Sequence, residues 1–298
     1  MSFFPKKQIQ NIAVFNPSEK LPKGTIAKSV PMAMLKEFQR KIKGYEIKPF
    51  NGGAKFRNGD ILLAKITPCL ENGKTAFVDI LDEDEVAFGS TEFIVLRANE
   101  NTNPEFLYYF STSPDFRKRA IECMEGTSGR QRVNENTLKT LELPIPDLPT
   151  QQAIASVLSA LDQKIAINNQ INAQLEQMAK TLYDYWFVQF DFPDENGKPY
   201  QSSGGEMVYN DTLKRHIPKG WEVKSLGEHI TIKRGLSYKS NEIQDTGIPF
   251  INLNSFYLDG NFKIEGTKFF TGKVKDDDFV YHGNLLIKDN IPKQLKRL

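Results

Sequence analysis

Two short stretches of the sequence hold side chains whose types and spacing suit contact with a polyanion or a base edge. The first, GTSGRQR (126–132), places Thr127, Ser128, Arg130, Gln131 and Arg132 around two glycines. Arginine makes bidentate contacts with guanine and glutamine with adenine, while hydroxyls reach bases or phosphates. Gly126 and Gly129 permit a close backbone approach. The same composition also fits a mobile surface turn, and the residues alone leave the two readings level. The second stretch, KITPCLENGK (65–74), carries Lys65, Thr67, Asn72 and Lys74. Its end, Gly73-Lys74-Thr75, matches the close of a phosphate-binding loop. That motif needs a glycine five residues before Gly73, and Pro68 stands there without an N–H to offer. Lys65 and Lys74 therefore read as candidate phosphate anchors, not as part of a nucleotide site.

Charge supports this reading locally and not globally. The formal net charge over 298 residues is only +2, so a polyanion must be held by a patch. Arg40, Lys41, Lys43, Lys48, Lys55, Arg57, Lys65 and Lys74 face only Glu46, Asp60 and Glu71 between residues 40 and 75, and acids gather instead in LDEDE (81–85). One face prepared for phosphates fits this pattern, as does an ordinary charged surface.

Catalytic chemistry has little to be built from. His216, His229 and His282 are scattered, and Cys69 and Cys123 form no CxxC pair, so no metal site is expected. Both cysteines read as reduced core residues. PDFRKR (114–119) lacks a following Glu-x-Lys and reads as a solvated helix face. No Asn-Pro-Pro-Tyr tetrapeptide or glycine-rich cofactor loop argues for a free-standing methyltransferase. The opening MSFFPKKQIQNIAVF has no apolar run long enough for a signal peptide or a membrane span. A soluble, cytoplasmic protein is the expectation.

The elements that must position these residues follow from periodicity. DILLAKI (60–66), KTAFVDI (74–80) and TEFIVLRA (91–98) are apolar runs bounded by Asn, Gly and Asp, the pattern of strands and turns. PEFLYYFSTSPDFRKRAIECM (104–124) has helical spacing, and LPIPDLP (143–149) predicts an extended lead-in. From Thr150, expected as an N-cap, no proline intervenes between Pro149 and Pro193. Ile154, Leu158, Leu161, Ile165, Asn168, Asn172, Leu175, Ala179, Leu182 and Trp186 follow at alternating steps of three and four, a coiled-coil seam. Such a helix spans roughly 55–60 Å and needs another helix to cover it. Asn168 and Asn172 are either an exposed stretch or a pin that fixes partner register.

Beyond the helix the chain is turn-rich through 191–210, and then an internal echo begins. LGEHITI (226–232) resembles IQNIAVF (9–15), and YHGNLLIKDN (281–290) resembles FRNGDILLAK (56–65), with offsets of 217 residues from Ile9 to Leu226 and 224 from Gly59 to Gly283. Two copies of one domain are expected, the second incomplete within this sequence.

These residues together resemble the specificity (S) subunit of type I restriction–modification systems. The likeness rests on FNPSEKLPKGTIAKSVPM (15–32), GDILLAKITPCLENGK (59–74), GTSGRQRVN (126–134), the helix from LPIPDLPTQQ to TLYDYWF (143–187), and IPKGWEVKSLG (217–227). The proline-led helix with QQ, LDQKI and N-x-x-I-N is its most specific part. The resemblance implies an α+β chain: a first target-recognition domain over 1–149, a long spacer helix over 150–190, a connector over 191–216 and an incomplete second recognition domain over 217–298. It implies a non-catalytic reader of double-stranded DNA with no cofactor of its own. S-adenosylmethionine would belong to modification subunits that methylate adenine, and ATP and Mg to restriction subunits joining through the complex. The tail KDNIPKQLKRL departs from the family's pattern. The seam Ile154, Leu158, Leu161, Ile165, Leu175 and Leu182 is then expected to be covered by modification subunits or by an antiparallel second copy of the chain.

Overall fold

The computed structural model describes residues 4–127, 129–257 and 262–286. The chain divides into two compact units, residues 1–184 and 185–298.

Among its described residues the first unit has twelve short strands: β1 (Lys6–Gln8), β2 (Ala13–Phe15), β3 (Ile26–Val30), β4 (Glu46–Pro49), β5 (Ala54–Phe56), β6 (Ile61–Ala64), β7 (Thr75–Phe77), β8 (Ala87–Gly89), β9 (Phe93–Ala98), β10 (Met124–Glu125), β11 (Arg132–Val133) and β12 (Glu142–Pro144). The apolar runs at 60–66, 74–80 and 91–98 become β6, β7 and β9, as their patterning predicts. Two four-stranded sheets result, ordered β2-β9-β6-β7 and β4-β3-β8-β5.

The first sheet is apolar on both faces, and alternation along its strands explains why. Ile61 and Leu63 of β6, with Ile94 and Leu96 of β9, join Phe106, Leu107, Phe116, Ala120, Leu138 and Ala155 in one core. Their neighbours Leu62, Phe93 and Val95 turn the other way and pack with Val30, Phe56 and Ala87. Successive strand residues point to opposite faces, so the sheet lies between a helical layer and the second sheet. Each such fully buried side chain is worth about 1.5–3 kcal/mol.

The helices depart from the sequence reading at their ends. The single helix expected over 104–124 is two, α1 (Pro104–Thr112) and α2 (Pro114–Glu122). Pro114 disfavours helical backbone at Ser113, which is extended and caps α2 by accepting from the Phe116 N–H. After α3 (Glu135–Thr140), α4 runs from Leu148 to Tyr183. Its N-cap is Asp147, whose carboxylate accepts from the Thr150 N–H at 3.1 Å, and not Thr150 itself. Pro149 lies in the first turn, where its missing N–H costs nothing. The extended lead-in therefore ends earlier, with β12 paired to β1. Cys123 is buried, but Cys69 is only partly so and lies between β6 and β7 outside the core.

One ion-pair network enters the core. Asp60, 0% exposed, accepts from the Arg97 guanidinium through both carboxylate oxygens at 2.7 Å and from the Arg57 N–H at 2.8 Å. Arg97 and Arg57 also donate to Glu19, each at 2.8 Å. Burial raises the Glu19 pKa, but these hydrogen bonds outweigh it and hold the carboxyl below its ordinary value.

In the second unit, β13 (Met207–Asn210) pairs with β14 (Arg215–Pro218), and β15 (Ile243–Gln244), β16 (Ile248–Phe250) and β17 (Lys268–Phe270) form a sheet ordered β15-β17-β16. Phe192 stacks on Tyr200 at 4.9 Å and on Trp221 at 5.4 Å. The sequence echo survives in part. Single 3-10 turns stand at Ile9–Asn11 and Leu226–Glu228, and Gly59 and Gly283 share left-handed backbone at φ 86° and 95°. Residues 229–232 form no strand to match β2. The end of the second echo, 287–290, and the tail KDNIPKQLKRL lie outside the described residues.

Arg97→Ala would leave Asp60 and Glu19 buried without their main cation, and removing one partner of a buried pair costs about 3–5 kcal/mol. A lowered urea midpoint at unchanged slope is the expected outcome. Because the Glu19 pKa is depressed, its stabilisation is present above its ordinary value of 4.5 and lost as pH falls through the lowered one. An acid-unfolding series should show that loss in the wild-type chain.

Candidate nucleic-acid interface

The two stretches singled out by residue type are one structure. Residues 65–74 connect β6 to β7, and residues 126–131 connect β10 to β11. They are joined where they meet. The Thr67 N–H donates to the Gln131 carbonyl at 3.1 Å, and the Gln131 N–H donates to the Thr67 hydroxyl oxygen at 2.9 Å. The Val133 N–H donates to the Lys65 carbonyl at 2.8 Å, and Ile66 bridges Arg132 in antiparallel register. The first loop is itself wound into a turn, Leu70 N–H to Ile66 carbonyl and Asn72 N–H to Pro68 carbonyl, with Leu70 plugged into the core. A loop expected to be either a reader or a mobile turn is thus tied down along one edge.

The candidate side chains stand in different states. Arg130 and Asn72 are exposed, and among the described residues Arg130 and Lys74 make no ion pair. Thr127 is exposed at the hairpin tip, and Ser128 lies outside the described residues. Arg132 is bound instead of free: its guanidinium donates to the Glu92 carboxylate at 2.7 and 3.0 Å. Hydrogen bonding by Arg132 is the main reason that Glu92 sits below its ordinary pKa, with Lys65 adding to the effect. Lys65 stands 3.6 Å from the Glu135 carboxylate, which also accepts from the Asn16 amide at 2.7 Å. Lys65 also lines an open groove of about 440 Å³ with Asn16, Lys55, Thr91 and Phe93.

Pairing reduces the local basic surplus. Arg40 binds Glu105, Lys48 binds Glu46, Arg57 binds Glu19 and Lys65 faces Glu135. Lys41, Lys43 and Lys74 make no ion pair among the described residues. In the acidic run, Asp82 and Glu85 are spent on Lys28, at 3.0 and 2.7 Å.

Sequence reasoning missed three features of this region. Glu92 is one, the acid that orients Arg132. The second is the closed loop 35–42, footed in the core by Leu35 and Ile42 and closed by the Lys43 N–H on the Met34 carbonyl at 2.9 Å. Its Phe38 is 66% exposed and donates its N–H to the Gly73 carbonyl at 3.2 Å. A lone Phe between Lys36-Glu37 and Gln39-Arg40-Lys41 was the available signal. The third is Arg40, which anchors the same loop underneath. Its guanidinium lies 4.5 Å from the Phe77 ring and donates to Glu105 at 2.7 Å and to the Tyr109 hydroxyl at 2.9 Å. Tyr109 donates onward to Asp162 of α4 at 2.7 Å. Burial and then that hydrogen bond push the Tyr109 pKa up to about 12, so it remains a neutral donor at ordinary pH.

Helix α4 presents two faces. Gln151, Ala155 and Ser159 are buried against the domain, and Ile154 packs partly against its core. Ile154 and Leu158 are half-buried, so the start of the expected seam is partly used within the domain. Leu161, Ile165, Leu175 and Leu182 are exposed, and Val157, Ile167, Ile171 and Met178 share that condition. These last four were not in the expected seam, because they fall beside the strict three-four alternation.

Among the described residues no cluster of His, Cys, Asp and Glu could hold a metal ion, and no helix is long and apolar enough to cross a membrane.

Comparison with known proteins places the chain in a family. The chain is 38% identical over 151 residues to the HindI type I restriction enzyme specificity subunit of Haemophilus influenzae, covering 49% of this chain and 32% of that one. It is 34% identical over 151 residues to the MjaIX specificity subunit of Methanocaldococcus jannaschii, covering 50% and 33%. The chain thus matches about a third of the length of these curated relatives. The crystal structure of the HsdS subunit from Thermoanaerobacter tengcongensis aligns over 90% of this chain and 65% of that one, at 21% identity and a TM-score of 0.45. The family model for the type I restriction modification DNA specificity domain matches residues 7–177, and the chain belongs to that family.

Proposed function

We propose that this chain is a non-catalytic DNA-reading subunit of a type I restriction–modification complex, and that its first unit reads one half of a duplex target. The observation that carries the reading is the joining of residues 65–74 to residues 126–132. One tied platform presents Arg130, Gln131 and Asn72 beside the cations Lys65 and Lys74. Base-edge readers next to phosphate anchors are what sequence-specific binding requires. Methylation of adenine with S-adenosylmethionine, and cleavage with ATP and Mg, would be the work of modification and restriction subunits that this chain directs.

In this reading α4 is the spacer, and its exposed face is covered by an apolar helix. A second copy of the chain, antiparallel, is the occupant we propose, because a two-fold axis closes such an assembly. Burying Leu161, Ile165, Ile167, Ile171, Leu175, Met178 and Leu182 would supply on the order of 10 kcal/mol, offset by the cost of association.

Four substitutions divide readers from anchors. Arg130→Ala and Arg132→Ala should relax specificity at a base pair, each at a cost of about 1–3 kcal/mol. Lys65→Ala and Lys74→Ala should weaken binding to all duplexes alike and flatten the salt dependence by about one unit of slope. Titration of each variant against a panel of duplexes at several salt concentrations checks this, and identical behaviour of all four would overturn the division. The absence of any salt-dependent duplex binding by the wild-type chain would overturn the DNA reading itself.

Glu92→Gln tests the state of Arg132. Losing the carboxylate frees the guanidinium and removes one negative charge, so non-specific affinity should rise and the salt slope should steepen by about one. A fluorescence-anisotropy series against mixed-sequence duplex reads both quantities.

Sedimentation velocity tests the helix. A dimer at micromolar concentration is expected, converted to monomer by Leu175→Glu with helicity retained. A wild-type monomer with α4 still formed would refute self-pairing and leave modification subunits as the cover.

A further inference from the structure

Phe38 combines features that no packing role explains. Its backbone is left-handed, at φ 55°, where a bulky side chain is an outlier and its strain persists only if the surroundings impose it. Those surroundings are on view. Leu35 and Ile42 hold the feet of the loop in the core, and the Gly73 carbonyl holds the Phe38 N–H. The Arg117 guanidinium lies 4.9 Å from the ring. Gly73 supplies the space, since a Cβ there would come within 2.5 Å of Phe38 Cε1. Yet the side chain so carefully held is 66% exposed, so burial does not offset the strain. Lys36, Lys41 and Lys43, on and next to its loop, and Lys118, next to Arg117 on α2, are exposed and make no ion pair among the described residues.

A single apolar ring fixed among free cations suits a polyanion that offers flat apolar surfaces between its charges. Stacked base pairs flanked by phosphates are that surface. We propose that Phe38 is a wedge that enters between two base pairs of the bound duplex, with the neighbouring lysines on the phosphates of the opened step. Apolar wedges of this kind partly unstack the step and kink the duplex. The inference rests on the chain's binding duplex DNA as proposed above. The loop 65–74 places the wedge beside the readers, because it touches Gln131 at one end and Phe38 at the other. A helix or peptide partner is the less suited occupant, since one ring offers no continuous apolar area and the lysines would oppose its burial.

The test uses the full chain and duplexes that it enriches from a randomised pool, with 2-aminopurine replacing each adenine in turn. Its fluorescence rises where a base is unstacked. With the wild-type chain a rise at one position is expected, lost in Phe38→Ala and retained in Phe38→Trp. Phe38→Ala should weaken binding roughly tenfold while leaving the salt slope unchanged, because no charge is removed. Gly73→Ala, which displaces the ring while keeping it in the chain, should reproduce the loss. Far-UV circular dichroism confirms that each variant is folded. Wild-type binding with no fluorescent position, or Phe38→Ala matching wild type in signal and affinity, would overturn the wedge and leave the DNA reading standing. Failure of the wild-type chain to enrich any duplex would overturn both.

Discussion

The central sheet is buried on both faces, and most of the first unit follows from that constraint. A strand with no solvent face has no place along its length for a side chain that must meet a polar partner. Ile61 to Ala64 and Phe93 to Leu96 are accordingly apolar throughout. Polar function is pushed to the strand ends, where Lys65 follows β6, Glu92 precedes β9 and Lys74 precedes β7. Backbone pairing brings those ends together, and the N–H of Lys65 on the Glu92 carbonyl is one of the bonds that does it. Exceptions are Thr75 of β7, Arg97 toward the end of β9, and Asp60 just before β6, tolerated in the core because Arg97 and the Arg57 N–H satisfy it. A buried charge is retained only with such partners.

The platform at the strand ends is also tied to the long helix. Arg40 belongs to the segment that carries Phe38, and through Tyr109 it reaches Asp162 on α4. Aromatic rings of Phe77, Tyr108 and Tyr109 surround the guanidinium, and weak competition from water strengthens each hydrogen bond there. A spacer helix can set a distance between two sites only if it does not swing relative to its own domain. The Arg40–Tyr109–Asp162 chain and the buried stripe Gln151, Ala155 and Ser159 both resist that motion.

Helix α4 divides one heptad pattern between its own domain and an exposed face. Its first turns pack part of the apolar seam against their own domain, and from about Leu161 onward the seam lies exposed. Asn168 and Asn172 interrupt that face where neither contacts the domain core. In a covered seam, a polar pair at this place would favour one register over its alternatives.

The sequence by itself determined the element types, the long helix and the family. Apolar alternation, Gly and Asn boundaries, and an uninterrupted heptad run are local signals, and strands and helices answer to local signals first. It also singled out, by composition, both loops of the proposed interface. Helix ends were less legible, because Pro114 and Pro149 act according to whether they fall inside a helix or at its first turn. Only the tertiary structure decided that residues 65–74 and 126–132 form one platform, since no local pattern encodes a hydrogen bond between Thr67 and Gln131. It alone decided that Arg132 is held by Glu92 and that Arg40 lies beneath aromatic rings while Arg130 is exposed. Pairing of charges depends on which distant segments the sheets bring within a few ångströms, and that distance exists only once the chain has folded.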